Sequence, residues 1–194
     1  MPAATTNKTA YAVFDTAIGR CALLWRGGLV VGAALPETDE AKLRANLARR
    51  FRDAEEQAPL PFVVEAIAKV RRLLAGEQID LSDIPLDLRA CSDFERAVYA
   101  AAQAIPCGET RTYGDLAAAV GQKQAAQAVG LALGRNPIPI IVPCHRILAA
   151  SGKTGGFSAP GGVSTKFRIL QIEGAVRAGE PSLFDALPLA VKPA

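Results

Sequence analysis

The segment "NPIPIIVPCHRIL" (residues 136–148) joins an apolar, proline-interrupted run directly to a thiol, the only histidine of the chain and a guanidinium. Its residues 138–142 are mostly β-branched, and the proline among them predicts an irregular or edge strand. Pro143 restricts the preceding residue to an extended conformation and so delivers Cys144 from a fixed direction. The segment therefore predicts a thiol that is held in place by its backbone.

Cys144 by itself has two interpretations. A cysteine in apolar surroundings is usually an inert, buried hydrophobe, because burial disfavours the thiolate. The adjacent His145 favours a nucleophile instead, since an imidazole can take a thiol proton directly or through one water, and a carboxylate behind it would fix its tautomer. Neighbouring residues on a strand face opposite sides, so contact between the two side chains requires a turn or a bridging water after Pro143.

The composition is that of a globular protein with one sizeable core or two small ones: 194 residues, half of them apolar and 21% charged. The sequence shows no secretory leader and no run near the ~18 apolar residues of a membrane span, so we expect a cytoplasmic protein with no membrane partner. The four cysteines are scattered without the spacing of a metal site, so we expect free thiols and no metal.

The net charge of +3 is unevenly distributed along the chain. Between Arg111 and Arg168 there are seven basic residues and one acid, Asp115, which gives a local charge of +6. Such a stretch suits a polyanion such as DNA, although a solvated, mildly basic surface fits the same count.

Residues 1–85 predict a small antiparallel sheet with two helices. The β-rich runs "TAYAVFD", "GRCALLWR" and "LVVGAAL" are separated by turns, and Gly27-Gly28 is typical of a two-residue hairpin turn. Apolar residues at helical spacing follow over 43–51 and 63–74, and we expect both helices to cover one sheet face. The irregular connector over 75–89 contains the predicted domain boundary.

Residues 86–175 predict a helical domain, and residues 176–194 a flexible tail. Ser92 and Glu95 form a capping box that opens one helix, and Thr112 caps a short helix further along. This second domain is therefore built mainly from short, well-capped helices.

The stretch "QKQAAQAVGLALG" (residues 122–134) predicts another helix, on which Lys123 and Gln127 share a face. Together with the helix that Thr112 opens, it has the sequence pattern of a helix-turn-helix whose second helix enters a DNA groove. An Ala/Gly-rich core helix fits the same residues.

Three motifs in this order resemble the methylated-DNA–protein-cysteine methyltransferases, also called O6-alkylguanine-DNA alkyltransferases: "GETRTYGDLA", "NPIPIIVPCHRIL" and "GGFSAPGGVSTKFRILQIEGA". The resemblance covers residues 92–175. It implies an α+β fold with a ribonuclease-H-like N-terminal domain and a winged-helix-like C-terminal domain that binds DNA and carries the alkyltransferase site.

The resemblance also implies a reaction, the direct reversal repair of O6-alkylguanine, mainly O6-methylguanine, with O4-methylthymine as a second candidate. The damaged base is flipped out of the duplex, and its alkyl group is transferred irreversibly to a cysteine. By position Cys144 is that nucleophile, His145 its water-mediated base and Glu173 the carboxylate that orients the histidine. Because the thioether product is stable, the protein is consumed and needs no cofactor.

Further roles follow by position. Tyr113 donates to the base, Asn136 is the hinge between the helix-turn-helix and the thiol, and Arg146 is a structural neighbour of the site. The residues expected to contact the base or the DNA are Thr112, Lys123, Gln127, Arg135, Val142, Phe157 and Ser158.

Two of these positions depart from the family pattern. Gln127 stands where an arginine commonly fills the gap left by the flipped base, which predicts weaker duplex binding or less efficient flipping without loss of the chemistry. Phe157 stands where a tyrosine is frequent.

Other functions fit parts of the sequence. An alkyltransferase-like sensor would bind lesions with weak transfer, a winged-helix regulator would use the basic helices without chemistry, and a thiol hydrolase would use a Cys-His-Glu set. We expect a monomer that associates with the nucleoid when it is bound to double-stranded DNA. The tail segment "SLF" (residues 182–184) faintly resembles sliding-clamp-binding peptides.

Overall fold

The computed structural model describes residues 8–150 and 155–176, and its fold is α+β. A four-stranded sheet has the order β3-β2-β1-β4. Its strands are β1 (Ala10–Thr16), β2 (Gly19–Arg26), β3 (Leu29–Ala34) and β4 (Glu55–Glu56). The first three are antiparallel and include the predicted hairpin, whereas β4 pairs parallel with β1 and has no counterpart among the predicted strands.

Two helices, α1 (Glu40–Arg50) and α2 (Pro61–Leu74), cover opposite faces of this sheet, so the prediction that they share one face is wrong. Leu24 of β2 packs with Leu47 of α1, whereas the preceding Leu23 packs in the cluster of α2. Since neighbouring strand residues face opposite sides, β2 is buried on both. Its unbroken apolar run "CALLW" reflects this double burial.

The second half of the chain is mainly helical, as predicted. The capping box predicted at Ser92 and the cap predicted at Thr112 both form, each with a side chain that accepts from the third residue of its helix. In the described residues the elements are α3 (Asp93–Gln103), α4 (Tyr113–Ala119), α5 (Ala126–Gly134), α6 (Gly162–Ile172), and the parallel pair β5 (Arg111–Thr112) and β6 (Ile147–Leu148).

Helix α5 begins at Ala126, four residues later than predicted. Gly121 adopts φ 76°, and the following Gln122 N–H donates to the Ala117 carbonyl at 2.8 Å, which closes the end of α4. These residues therefore belong to the turn between the two helices. Lys123 lies in that turn, so the prediction that it shares a helix face with Gln127 is wrong.

Residues 138–142 form a tight buried loop, so the strand predicted there is wrong. The Val142 N–H donates to the Ile138 carbonyl at 2.9 Å, and a single isolated bridge joins Pro139 to Val142. Ile140 adopts φ 75°, a left-handed conformation that β-branched residues rarely take. Because the loop closes on itself, it does not extend alongside a neighbouring strand.

Apolar packing ties the two halves together around this loop. The cluster between the sheet and α2 also contains Ile138, Ile141 and Ile169 from the second half, and a separate cluster lies among α3, α4 and α5. Contacts therefore cross residue 85, and the domain division stays a prediction. No helix in the described ranges combines the length and the apolarity that a membrane crossing needs. The tail with "SLF" lies outside the described residues from residue 177 onward.

Candidate active site

The turn expected after Pro143 is one turn of 3₁₀ helix, Cys144–Arg146. It is closed by the Arg146 N–H, which donates to the Pro143 carbonyl at 2.9 Å. Because the turn sends consecutive side chains in different directions, Cys144 is partly exposed while His145 and Arg146 are buried. The thiol lies in a cleft of about 1020 Å³.

Asn136 fixes the buried loop that leads to the thiol. Its Nδ2 donates to the Val142 carbonyl at 2.9 Å, and its Oδ1 accepts from the Ile138 N–H at 3.0 Å. One amide side chain thus bridges both ends of the loop. A hydrogen bond from Asn136 also favours the thiolate form of Cys144. This arrangement suits the role of a hinge predicted for Asn136.

A carboxylate lies behind the histidine, as the family resemblance implies. Glu173 caps the end of α6 and is almost completely buried. Its Oε1 is 3.0 Å from His145 Nε2 and 2.8 Å from Arg146 Nη2, and its Oε2 accepts from Arg146 Nε at 2.9 Å. Burial alone would raise the pKa of Glu173, but these hydrogen bonds outweigh it and hold the pKa at about 2. Glu173 is therefore ionised.

The geometry assigns different roles to the two ring nitrogens of His145. With an ionised carboxylate beside Nε2, that nitrogen carries the hydrogen and donates, which leaves Nδ1 as an acceptor. Nδ1 is buried and has no hydrogen-bond partner among residues 8–150 and 155–176. Burial lowers the pKa of His145, so its resting form is neutral. Such an imidazole is ready to accept a proton.

The thiol of Cys144 rests in its protonated form, because burial raises its pKa. The cation of Lys166 and the hydrogen bond from Asn136 oppose that effect. Lys166 is fully buried, its Nζ donates to the Ile147 carbonyl, and burial lowers its pKa to about 8. Our sequence reasoning missed Lys166. The available signal was its position seven residues, or two helical turns, before Glu173.

Tyr113 forms a wall of the cleft. It is the first residue of α4, directly after the Thr112 cap, and its ring packs against two glycines, Gly130 of α5 and Gly155. A Cβ at Gly155 would lie 2.8 Å from the ring, so only glycine fits there. Burial raises the pKa of Tyr113, which keeps its hydroxyl protonated as a donor.

Known proteins resemble this chain in sequence and in fold. A family model described as "6-O-methylguanine DNA methyltransferase, DNA binding domain" matches residues 93–175. The methylated-DNA–protein-cysteine methyltransferase of Methanosarcina acetivorans is 36% identical over 165 residues, which cover 85% of this chain and 98% of the relative. This chain belongs to the methylated-DNA–protein-cysteine methyltransferase family.

Two further comparisons agree with this membership. The methyltransferase of Mycobacterium tuberculosis is 45% identical over 120 residues, which cover 62% of this chain and 70% of that protein. A crystal structure of Mycobacterium tuberculosis OGT in complex with DNA matches with a TM-score of 0.68 and 35% identity, over 86% of this chain and 93% of that one. The fold of the family is therefore shared well beyond the matched DNA-binding domain.

In this methyltransferase the cleft collects most of the residues predicted for the base or the DNA. The predicted residues that line the same cleft as Cys144 are Thr112, Tyr113, Gln127, Arg135, Asn136, Phe157 and Ser158. Lys123 does not line it and borders a separate shallow depression. The Val142 carbonyl already accepts from Asn136 Nδ2 and from the Cys144 N–H, so its predicted contact with the base lacks a free acceptor.

Most of the basic residues between Arg111 and Arg168 are buried or paired in the fold. The local charge of +6 counted along the sequence is therefore not the charge that this part of the protein presents to a polyanion. Lys166 is buried, and Arg168 donates to the carbonyls of Ala17 and Ile18. Lys153 lies outside the described residues. Three other members pair with acids outside the counted stretch: Arg111 with Glu109, Arg135 with Glu95 and Arg146 with Glu173.

Proposed function

We propose that this methyltransferase repairs O6-alkylguanine, mainly O6-methylguanine, in double-stranded DNA by one irreversible transfer of the alkyl group to Cys144. The observation that carries the proposal is the placement of a partly exposed thiol in a cleft, backed by the buried His145–Glu173 pair. The DNA complex of the Mycobacterium tuberculosis relative supports DNA as the partner.

The proton of the thiol leaves first. His145 Nδ1 is the acceptor, reached through one bridging water, and the charge that develops on the imidazole is stabilised by the ionised Glu173 beside Nε2. Arg146 compensates the carboxylate from its other side and keeps it from taking the proton itself. The pair thus raises the basicity of a histidine that burial alone makes a weak base.

The thiolate then attacks the alkyl carbon in line with the C–O6 bond. The S–C bond forms as the C–O6 bond breaks, the electron pair stays with the guanine, and the guanine takes up one proton. The Tyr113 hydroxyl, kept protonated by burial, donates to the departing base and lowers the energy of that step. A thioether has no leaving group for a second displacement, so the protein acts once.

The helices α4 and α5 are the elements that we assign to the duplex, with α5 in the minor groove and the damaged base turned into the cleft. Gln127 lies on α5 and lines the cleft. Its uncharged amide contacts the orphaned partner base more weakly than a guanidinium would. This favours an alternative, a lesion-binding sensor with weak transfer.

One experiment separates repair from sensing. The protein is mixed with a duplex oligonucleotide that carries one O6-methylguanine, and its intact mass is recorded over time, followed by peptide mapping. We expect one methyl group per protein, on Cys144, with no turnover when substrate is in excess. Cys144→Ser prevents the modification, whereas the control Cys91→Ser, at a partly buried thiol that does not line the cleft, leaves it unchanged.

An unmodified protein that still binds the damaged duplex more tightly than an undamaged one would identify a sensor. Methylation of Cys91 or Cys107 in place of Cys144 would refute the assigned nucleophile. The same measurement with O4-methylthymine in the duplex tests the second candidate lesion, for which we expect slower transfer to the same thiol.

A further inference from the structure

The cleft has a wall that the sequence motifs of the family do not include. This wall is formed by the C-terminal part of α1, with Asn46, Arg49 and Arg50, and by the end of β3. A helix of the N-terminal half therefore faces the same space as Cys144.

The positive charge of the cleft comes from this N-terminal wall. Helix α5 contains no basic residue, and the Arg135 that follows it lies 3.7 Å from Glu95. Among the described residues that line the cleft, Arg49 and Arg50 are the cations without an acidic partner. Arg44, more than one turn earlier on α1, differs from them because it pairs with both Glu40 and Glu56.

The surroundings of the two arginines leave their charges uncompensated. The guanidinium of Arg50 lies over the Phe51 ring, 5.2 Å from its centroid, and its Nη1 is 3.4 Å from the Ala33 carbonyl. Arg49 makes no hydrogen bond or ion pair within residues 8–150 and 155–176. Burial, and then the neighbouring charge of Arg49, lower the pKa of Arg50. Two adjacent like charges of this kind are stabilised by an anion.

Backbone contacts place Arg50 near the loop that carries the thiol. The Ala33 carbonyl that Arg50 contacts belongs to the outer edge of β3, and the Ala33 N–H on the same edge donates to the Pro137 carbonyl at 3.0 Å. Pro137 directly follows Asn136, the side chain of which holds the loop. Ala33 is thus the one residue that links Arg50 to the segment leading into the active-site loop.

A nucleotide that enters the cleft carries its phosphates with it. In the proposed complex α5 lies against the duplex, and the backbone of the flipped nucleotide passes the mouth of the cleft within reach of the N-terminal wall. We propose that Arg49 and Arg50 form a phosphate-binding site for the lesion-carrying strand, supplying from the N-terminal half the charge that α5 lacks. This inference rests on the proposed function. The alternative role of the two arginines is to stabilise the negative end of the α1 helix dipole, which requires no contact with DNA.

The salt dependence of duplex binding tests the proposal. Full-length protein with Cys144→Ser, which prevents transfer during titration, is measured against an O6-methylguanine duplex between 50 and 200 mM salt. Log affinity falls as log salt rises, and each lost phosphate contact makes this slope shallower by about 0.9. The variant that combines Arg49→Gln and Arg50→Gln loses two phosphate contacts. We therefore expect the ratio of the parent's affinity to the variant's affinity to fall about 12-fold between 50 and 200 mM salt. Arg49→Lys with Arg50→Lys restores most of the slope, because a lysine also contacts phosphate.

A matched control is Arg71→Gln on α2. This arginine also lacks an acidic partner among the described residues, donates to the Asp15 carbonyl and does not line the cleft. Arg71→Gln removes one positive charge outside the cleft, so we expect the slope to stay close to that of the parent. A double glutamine variant with the slope of the parent, or of the Arg71 control, would overturn the phosphate site.

A second measurement distinguishes this outcome from failure of the proposed function. With Cys144 present, the double glutamine variant alkylates itself with a free O6-alkylguanine base within about twofold of the unchanged protein, because a free base carries no phosphate. If the unchanged protein reacts with neither the base nor the duplex, the proposed function fails. If the double variant loses reaction with the free base as well, the arginines support the fold of the cleft and the phosphate site is refuted.

Discussion

Replacing Glu173 by glutamine perturbs the most connected group of the site. The two oxygens of Glu173 accept three hydrogen bonds, from His145 Nε2 at 3.0 Å and from Arg146 at 2.9 and 2.8 Å. A glutamine has one acceptor oxygen, and its NH₂ group would face a donor. Arg146, a residue that is 6% exposed, would then lose the carboxylate that is hydrogen-bonded to its buried guanidinium.

Two arguments give the same magnitude for the stability that the protein loses with this substitution. Breaking a buried ion pair by removing one partner destabilises a protein by about 3–5 kcal/mol. The pKa of Glu173, held at about 2 against an ordinary 4.5, corresponds to about 3 kcal/mol of stabilisation by the ionised form. Because the folded pKa is the lower one, this stability is fully present above pH 4.5 and is lost as the pH falls toward 2.

The assay is urea unfolding of both proteins between pH 7 and pH 3. We expect Glu173→Gln to unfold with about 3–5 kcal/mol less free energy at pH 7, and the difference to shrink as the pH is lowered. The control Glu77→Gln removes the surface partner of Arg72, where the loss stays below about 1 kcal/mol. A difference that does not change with pH, or one no larger than that of the control, would refute this account of the buried pair.

Two further substitutions test the loop and the recognition helix. Asn136→Ala removes two hydrogen bonds from the loop before Cys144, so we expect about 1–3 kcal/mol lower stability in urea and slower single-turnover transfer; a normal transfer rate would show that the hinge is dispensable. Gln127→Arg adds a cation to a helix that has none, so we expect tighter binding to an O6-methylguanine duplex; unchanged affinity by fluorescence anisotropy would contradict the prediction made from that position.

Local signals in the sequence predicted the local structure. The caps at Ser92 and Thr112 and the turn at Gly27-Gly28 depend on a few neighbouring residues, and all three form as expected. The prediction that α1 and α2 cover one face of the sheet was wrong because periodicity shows only that a helix has an apolar face. It does not show which surface that face packs against. The strand predicted over 138–142 failed because β-branched residues favour extended backbone, whereas here the Asn136 side chain holds a closed loop.

The residues of the site also differ in whether neighbouring residues in the sequence predicted them. The position of Cys144 after Pro143 followed from adjacent residues, but Glu173 lies 28 residues beyond His145 along the chain, and only the family resemblance connected the two. Lys166 was missed because its spacing from Glu173 places the two side chains on one side of the helix but does not show that this side is buried beside a thiol.

The distribution of charge shows most clearly what linear counting misses. The excess between Arg111 and Arg168 pointed to the second half of the chain as the source of DNA affinity. In the fold, three of its arginines pair with acids from outside that stretch, Glu95, Glu109 and Glu173. The uncompensated guanidiniums of the cleft lie instead on α1. A binding surface assembled from residues nearly one hundred positions apart has no signature in any window of the sequence, so its charge must be counted after folding.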